Sequence, residues 1–138
     1  LREILKYCDF ISVGTNDLYQ FFFACDRGNP RLNGRYDVLS APFLNLMKKI
    51  IKEANAAGVP CSVCGEMASH PIDAMALIGL GFRNLSVSSA SYGKVKAMIR
   101  SLSAKGVEDY LNNILSSSRK TLRPQLKSYA CDHAIEIY

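Results

Sequence analysis

Apolar residues along this chain fall into short clusters with two different spacings. Residues 9–13 form a β-rich run that stops at Gly14 and predicts a buried strand. Beyond it, Leu18, Phe21, Phe22 and Cys25 recur at helical spacing, with Thr15 or Asn16 as the expected cap. Residues 26–39 are rich in Gly, Asn, Pro and Arg and predict a loop. A loop of that length in a compact domain is unusual and often functional. Ser40 is expected to cap a helix with Pro42 in its first turn, whose apolar face is Phe43, Met47, Ile50, Ile51 and Ala54. Gly58 and Pro60 stop it. Residues 61–64 predict a second strand ending at Gly65. A helix from Pro71 to Leu80, closed by Gly79 and Gly81, precedes a third strand over 84–88. Helices are expected near 92–102, 107–117 and 119–130.

Strands alternating with helices imply an α/β fold with a parallel sheet. Three βα units are too few for a closed eight-stranded barrel, which takes roughly 250 residues, but they can form part of one. The chain has 138 residues, 49% apolar and 21% charged, which excludes global disorder. No apolar run approaches the roughly 18 residues of a membrane-spanning helix. The chain opens Leu1-Arg2-Glu3-Ile4, without an initiator Met or a secretory signal, and reads as an internal piece of a longer protein. Five cysteines at irregular spacing argue against a disulfide framework and for reduced thiols in the cytoplasm. The net charge of +5 is uneven: positions 94–127 hold eight basic residues and two acidic ones. A nucleic-acid patch is one reading of that stretch. Without aromatic interleaving, a solvated face of C-terminal helices is the better one.

In parallel α/β folds, function gathers at the carboxyl ends of the strands. There this sequence places Gly14-Thr15-Asn16-Asp17, Cys64-Gly65-Glu66 and the serines Ser86, Ser88 and Ser89. Asp17 is a hard oxygen ligand suited to Mg²⁺. Asn16 has an amide to offer an anionic oxygen. Arg27, beside Gly28, suits bidentate contact with phosphate or carboxylate. Cys64 in a polar pocket can exchange a proton. Together these describe a pocket for an anion and magnesium, with a thiol proton donor. Each piece also has a plainer reading: Thr15, Asn16 and Asp17 as a turn and cap, Arg27 as a surface side chain, Glu66 as a helix-start carboxylate, Cys64 as a small buried apolar group. Cys61-x-x-Cys64 also invites a zinc or redox reading. It lacks a second pair at standard spacing and lies in a strand, where alternate residues face opposite sides.

The motifs 9–18, Asp26-Arg27-Gly28-Asn29, Cys64-Gly65-Glu66-Met67-Ala68 and Leu77-Ile78-Gly79-Leu80-Gly81-Phe82 occur in an order and spacing that resemble the phosphoenolpyruvate-binding barrel of Enzyme I of the bacterial phosphotransferase system. The nitrogen-related paralogue is the most similar, and the likeness runs from about residue 9 to 100. Pyruvate phosphate dikinase and phosphoenolpyruvate synthase share the first motif and rank second. The resemblance implies that the chain is the last three βα units of a (β/α)₈ barrel, with a C-terminal helical tail over 103–138. It implies that Asn16 and Arg27 contact the phosphate of phosphoenolpyruvate, that Asp17 ligates Mg²⁺, and that Cys64 protonates the enolate. It further implies a cytoplasmic homodimer that passes phosphate to an upstream histidine and on to an HPr-like phosphocarrier protein, with no nucleic-acid or membrane partner. Because that histidine lies in a separate domain, the segment alone is expected to be inactive. The alternative is a non-enzymatic dimerisation module.

Overall fold

The structure, a computed structural model, describes residues 1–26, 28–29, 35–116 and 120–138. The chain order is α1 (Arg2–Leu5), β1 (Ile11–Gly14), α2 (Thr15–Phe23), α3 (Ala41–Ala56), β2 (Cys61–Cys64), α4 (Glu66–Ser69), α5 (Pro71–Leu80), β3 (Asn84–Leu85), α6 (Ser89–Ser101), α7 (Ala104–Ile114) and α8 (Arg123–Asp132). The strands form a parallel sheet in the order β1-β2-β3. Ile11 pairs with Cys61 and Gly14 with Cys64, while Ser62 and Val63 pair with Asn84 and Leu85. The fold is therefore α/β, as expected. The third strand is shorter than the expected 84–88, although Ser86 still donates its N–H to the Val63 carbonyl at 2.8 Å.

Side chains alternate across this sheet. Val13, Cys61 and Val63 are buried and join Phe43, Met47 and Ile51 of α3 and Leu77 of α5 in one core. Ser12, Ser62, Cys64 and Asn84 lie on the other face, partly or fully exposed. The helices therefore cover one side of the sheet and leave a polar side open. Among the described residues, β1 and β3 have no further strand beside them.

Helix α3 begins after Ser40 with Pro42 in its first turn, as its sequence predicts, but the Ser40 hydroxyl is buried without a partner and makes no cap bond. In α2 the expected apolar face is borne out in part: Leu18 packs against the core and Cys25 is buried. Phe21 is 84% exposed and Phe22 41%, whereas Thr15, Tyr19 and Phe23, at i, i+4 and i+8, turn inward. Tyr19 decides this: it packs edge-on against Phe23 and Phe43, and its hydroxyl donates to the Tyr36 carbonyl at 3.0 Å. The N-cap is Gly14, neither Thr15 nor Asn16, because both side chains are used elsewhere.

Helix α5 is the centre of the molecule, with every residue from Ile72 to Leu80 buried. Gly81, at φ +110°, ends it as expected. Gly79 does not end it. A Cβ there would lie 2.6 Å from both Val107 Cγ1 and Leu111 Cδ1, so Gly79 is where α7 presses onto α5. Residues beyond 103 are thus built into the core, through Val107, Leu111, Leu115, Leu122, Leu126, Tyr129, Ala130, Ile135 and Ile137. Ser103 caps α7, its Oγ accepting the Gly106 N–H at 3.2 Å.

Overpacking a close helix crossing typically costs about 1–3 kcal/mol. Gly79→Val should therefore destabilise the protein by about 2 kcal/mol, outweighing the better helix propensity of valine. Urea unfolding should show a lower midpoint at unchanged slope.

Candidate active site

Two turns meet at the carboxyl edge of the sheet. The β1–α2 turn delivers Thr15, Asn16 and Asp17, and the β2–α4 turn delivers Gly65 and Glu66. Thr15, 1% exposed, donates its hydroxyl to the Cys64 carbonyl at 2.9 Å. The Glu66 N–H donates to Asn16 Oδ1 at 3.1 Å. Gly65 makes this clasp possible. Its φ of +102° lies where side chains are strained, and a Cβ would come within 2.5 Å of Thr15 Oγ1 and 3.1 Å of Asn16 Oδ1. Both side chains expected to cap α2 are instead spent tying the two turns together.

Because the amide oxygen of Asn16 accepts from the Glu66 N–H, the orientation of its NH₂ group is fixed. Asn16 lines a cavity of about 280 Å³ together with Thr15, Tyr19, Glu66, Met67 and His70. Tyr36, Asp37, Val38 and Asp73 complete its lining. Asp17 is exposed in the first turn of α2, where its Oδ1 accepts from the Gln20 amide at 3.5 Å. A carboxylate at a strand end is a group that could hold a hard cation, and Mg²⁺ commonly takes one or two carboxylates plus substrate oxygens. Among the described residues no group of three or more His, Cys, Asp or Glu is arranged to hold a metal, so Asp17 would contribute one ligand and not a cage. Cys64 is half-buried on the open face of β2. Its Sγ accepts from Ser12 Oγ at 3.8 Å and donates to the Val13 carbonyl at 3.7 Å. Cys61, three residues earlier, faces the helices, and burial pushes its thiol pKa up. The two cysteines point to opposite faces and are free thiols. Asn16, Asp17 and Cys64 thus share one edge, although Asp17 and Cys64 do not line the cavity. Arg27 lies outside the described residues. Beside it, Asp26 accepts the Gly28 N–H at 2.7 Å and turns the chain.

One group escaped the sequence reading. Arg123 of α8 reaches Asp37 with two hydrogen bonds, Nε to Oδ2 at 2.9 Å and Nη2 to Oδ1 at 2.8 Å. Thr121 donates to the same carboxylate at 2.7 Å, and the Leu122 N–H donates to the Leu39 carbonyl at 2.8 Å. Arg123 Nη1 also lies 2.9 Å from Asp73 Oδ1, an ion pair without hydrogen-bond alignment. The C-terminal segment therefore fixes the far end of the long loop and the start of α5, two walls of the cavity. Burial alone would push the Asp37 carboxyl up, but the bonds from Arg123, Leu39 and Thr121 outweigh it and hold the pKa below the ordinary value. Asp73 goes the other way: burial raises it, and Arg123 only partly compensates. No local motif marks this group, because Asp37, Asp73 and Arg123 lie 36 to 86 positions from one another. Within the basic stretch 94–127, Lys105 pairs with Asp109 at 2.8 Å.

Parallel βα units with a polar strand-end edge define a class in which small anionic ligands bind at the carboxyl ends of strands. Residues 1–104 match the family described as PEP-utilising enzyme, PEP-binding domain, and the chain belongs to that family. It is 36% identical over 111 residues to the phosphoenolpyruvate-protein phosphotransferase of Borreliella burgdorferi, covering 80% of this chain and 19% of that protein. It is 41% identical over 113 residues to the protein of the same name from Priestia megaterium, covering 82% and 20%. It is 37% identical over 130 residues to an Escherichia coli protein named phosphoenolpyruvate-dependent phosphotransferase system, covering 94% and 17%. The chain spans about a fifth of the length of these relatives. An alignment of 130 residues out of 138 necessarily reaches into α8.

Gly65→Ala should lower stability by about 2 kcal/mol or more, since the backbone conformation and the clasp both resist a side chain; thermal unfolding measures it. Arg123→Met should change how stability depends on pH. In the wild type, Asp37 contributes stability above the ordinary carboxylate pKa, and it is lost as pH falls through the depressed value. Without Arg123, the burial of Asp73 loses its partial compensation and its carboxyl is pushed further up, so the variant should lose more stability than the wild type as pH rises toward neutrality. Denaturant midpoints across that range distinguish the two slopes.

Proposed function

We propose that this chain is the C-terminal part of the phosphoenolpyruvate-binding barrel of a phosphoenolpyruvate-protein phosphotransferase, its last three βα units. The observation that carries the reading is the clasped strand-end edge, which presents Asn16, Asp17 and Cys64 together, in a chain of the PEP-binding family. Sequential parallel strands with open edges and a polar open face suit a segment of a larger barrel. On this reading, phosphate passes from phosphoenolpyruvate to a histidine upstream and then to an HPr-like phosphocarrier.

The chemistry divides between two sets of groups. The Asn16 amide NH₂ and the Arg27 guanidinium meet the phosphate oxygens and balance their charge as the phosphoryl group leaves. Asp17 is the residue that would hold Mg²⁺, and the ion when bound supplies charge neutralisation at the phosphoryl and enolate oxygens. Cleavage of the P–O bond leaves enolpyruvate. Cys64 then gives its S–H proton to the methylene carbon, making the methyl group of pyruvate and leaving a thiolate. Among the described residues no helix is long and apolar enough to cross a membrane. We assign the protein to the cytoplasm, where its free thiols stay reduced. Exposed Tyr7, Phe10, Phe21 and Phe22 support homodimeric or interdomain contact, which the non-enzymatic reading shares.

Cys64→Ala in the full-length protein separates these readings. Loss of a general acid typically removes about 10²- to 10⁴-fold in rate. Pyruvate formation should fall on that scale while phosphoenolpyruvate binding stays within about twofold of wild type, and folding is spared because a half-buried strand-end side chain leaves little cavity. Cys61→Ala should instead cost about 1 kcal/mol of stability and leave turnover near normal. Equal catalytic losses from the two substitutions would make Cys64 a packing residue.

A further inference from the structure

The cavity beside Asn16 has a lining that is poorly matched to an anion. It carries three carboxylates, Asp37, Asp73 and Glu66, together with His70 and the Tyr19 phenol. No lysine or arginine is among the described residues that line it. The side chains of Asp37 and Asp73 are only 22% and 6% exposed, so solvent screens their charges poorly. Both are met from behind the wall by Arg123 of α8. Its Nε and Nη2 donate to Asp37 at 2.9 and 2.8 Å, and its Nη1 lies 2.9 Å from Asp73 Oδ1.

We propose that Arg123 is a positioning residue for phosphoenolpyruvate affinity: by holding Asp37 and Asp73 it balances the charge of the cavity wall and lets an anionic substrate reach Asn16. The inference rests on the reading of this edge as a phosphoenolpyruvate site. It gives a role in substrate binding to α8, which lies beyond the residues 1–104 that match the PEP-binding family. Without Arg123 the two carboxylates respond differently. Burial already raises the Asp73 carboxyl, so it is the one that takes up a proton. Asp37 keeps the Thr121 hydroxyl at 2.7 Å and the Leu39 N–H at 3.0 Å, bonds that favour its charged form. One stranded negative charge therefore remains on the wall. A unit charge about 10 Å from a phosphate, at an effective dielectric of about 20, weakens binding by roughly 10-fold.

The test measures KM and kcat for pyruvate formation by the full-length protein, with an HPr-like phosphocarrier protein as acceptor. Salt is set at about 50 mM and about 500 mM, a range over which screening by mobile ions grows. Arg123→Met should raise KM for phosphoenolpyruvate by roughly 10-fold in low salt and by less in high salt, with kcat within about twofold of wild type. Adding Asp37→Asn to Arg123→Met should bring KM back to within about threefold of wild type, because the stranded charge is gone. Asp37→Asn alone should leave KM at or below the wild-type value. Unchanged KM in Arg123→Met overturns the proposal, and so does a rise that neither Asp37→Asn nor salt relieves, the pattern of a purely structural strut. Should Arg123→Met not fold, Asp37→Asn alone decides: a KM at or below wild type supports the proposal and a raised KM overturns it. Wild-type protein that forms no pyruvate from phosphoenolpyruvate overturns the underlying reading instead.

Discussion

The site depends on the approach of two turns at Gly65. A backbone at φ +102° with no Cβ lets the β2–α4 turn lie against Thr15 and Asn16, and two hydrogen bonds close the joint. Each bond is modest in net energy, about 1 kcal/mol, but the joint is dry around Thr15 and geometrically over-determined. Its consequence is register. The strand that ends in Cys64 and the helix that starts with Asn16 and Asp17 cannot slide relative to one another without breaking both bonds. A reaction that needs phosphate contacts and a carbon acid within one substrate's length requires that kind of fixed spacing.

The second constraint comes from the far end of the chain. Helix α5 sits buried between the sheet-side elements and α7, and α8 sends Arg123 back to Asp37 and Asp73. The C-terminal helices therefore support both α5 and the end of the long loop. Two carboxylates sharing one guanidinium leave Asp73 under-compensated, which is why its carboxyl is pushed up while that of Asp37 is pulled down. That asymmetry makes the cavity wall sensitive to pH in opposite senses at two adjacent groups.

Much of this was legible in the chain itself. Cys61–Cys64 is the strand the residues imply, α3 starts after Ser40 with Pro42 in its first turn, and the alternation of β and α units implies the parallel sheet. What was hidden has a physical reason in each case. The inward face of α2 is set by Tyr19 finding the Tyr36 carbonyl and Phe43, contacts that helical spacing does not encode. Gly79 reads as a stop and acts as a contact point, because only the docking of α7 distinguishes the two. The short helix α4 is too brief for a periodic signal. The strand-end residues could be found from their types, but the roles of Thr15 and Asn16 as cross-links, and the Arg123 group, arise from pairs distant in sequence.

The central claim is that this edge serves phosphoryl transfer from phosphoenolpyruvate. The most direct measurement incubates the full-length protein with ³²P-labelled phosphoenolpyruvate and Mg²⁺, and follows protein-bound label and pyruvate together. The account predicts acid-labile label on a histidine of the protein and pyruvate formed in equal amount. Folded protein that takes up no label, or that releases pyruvate without becoming labelled, would contradict it.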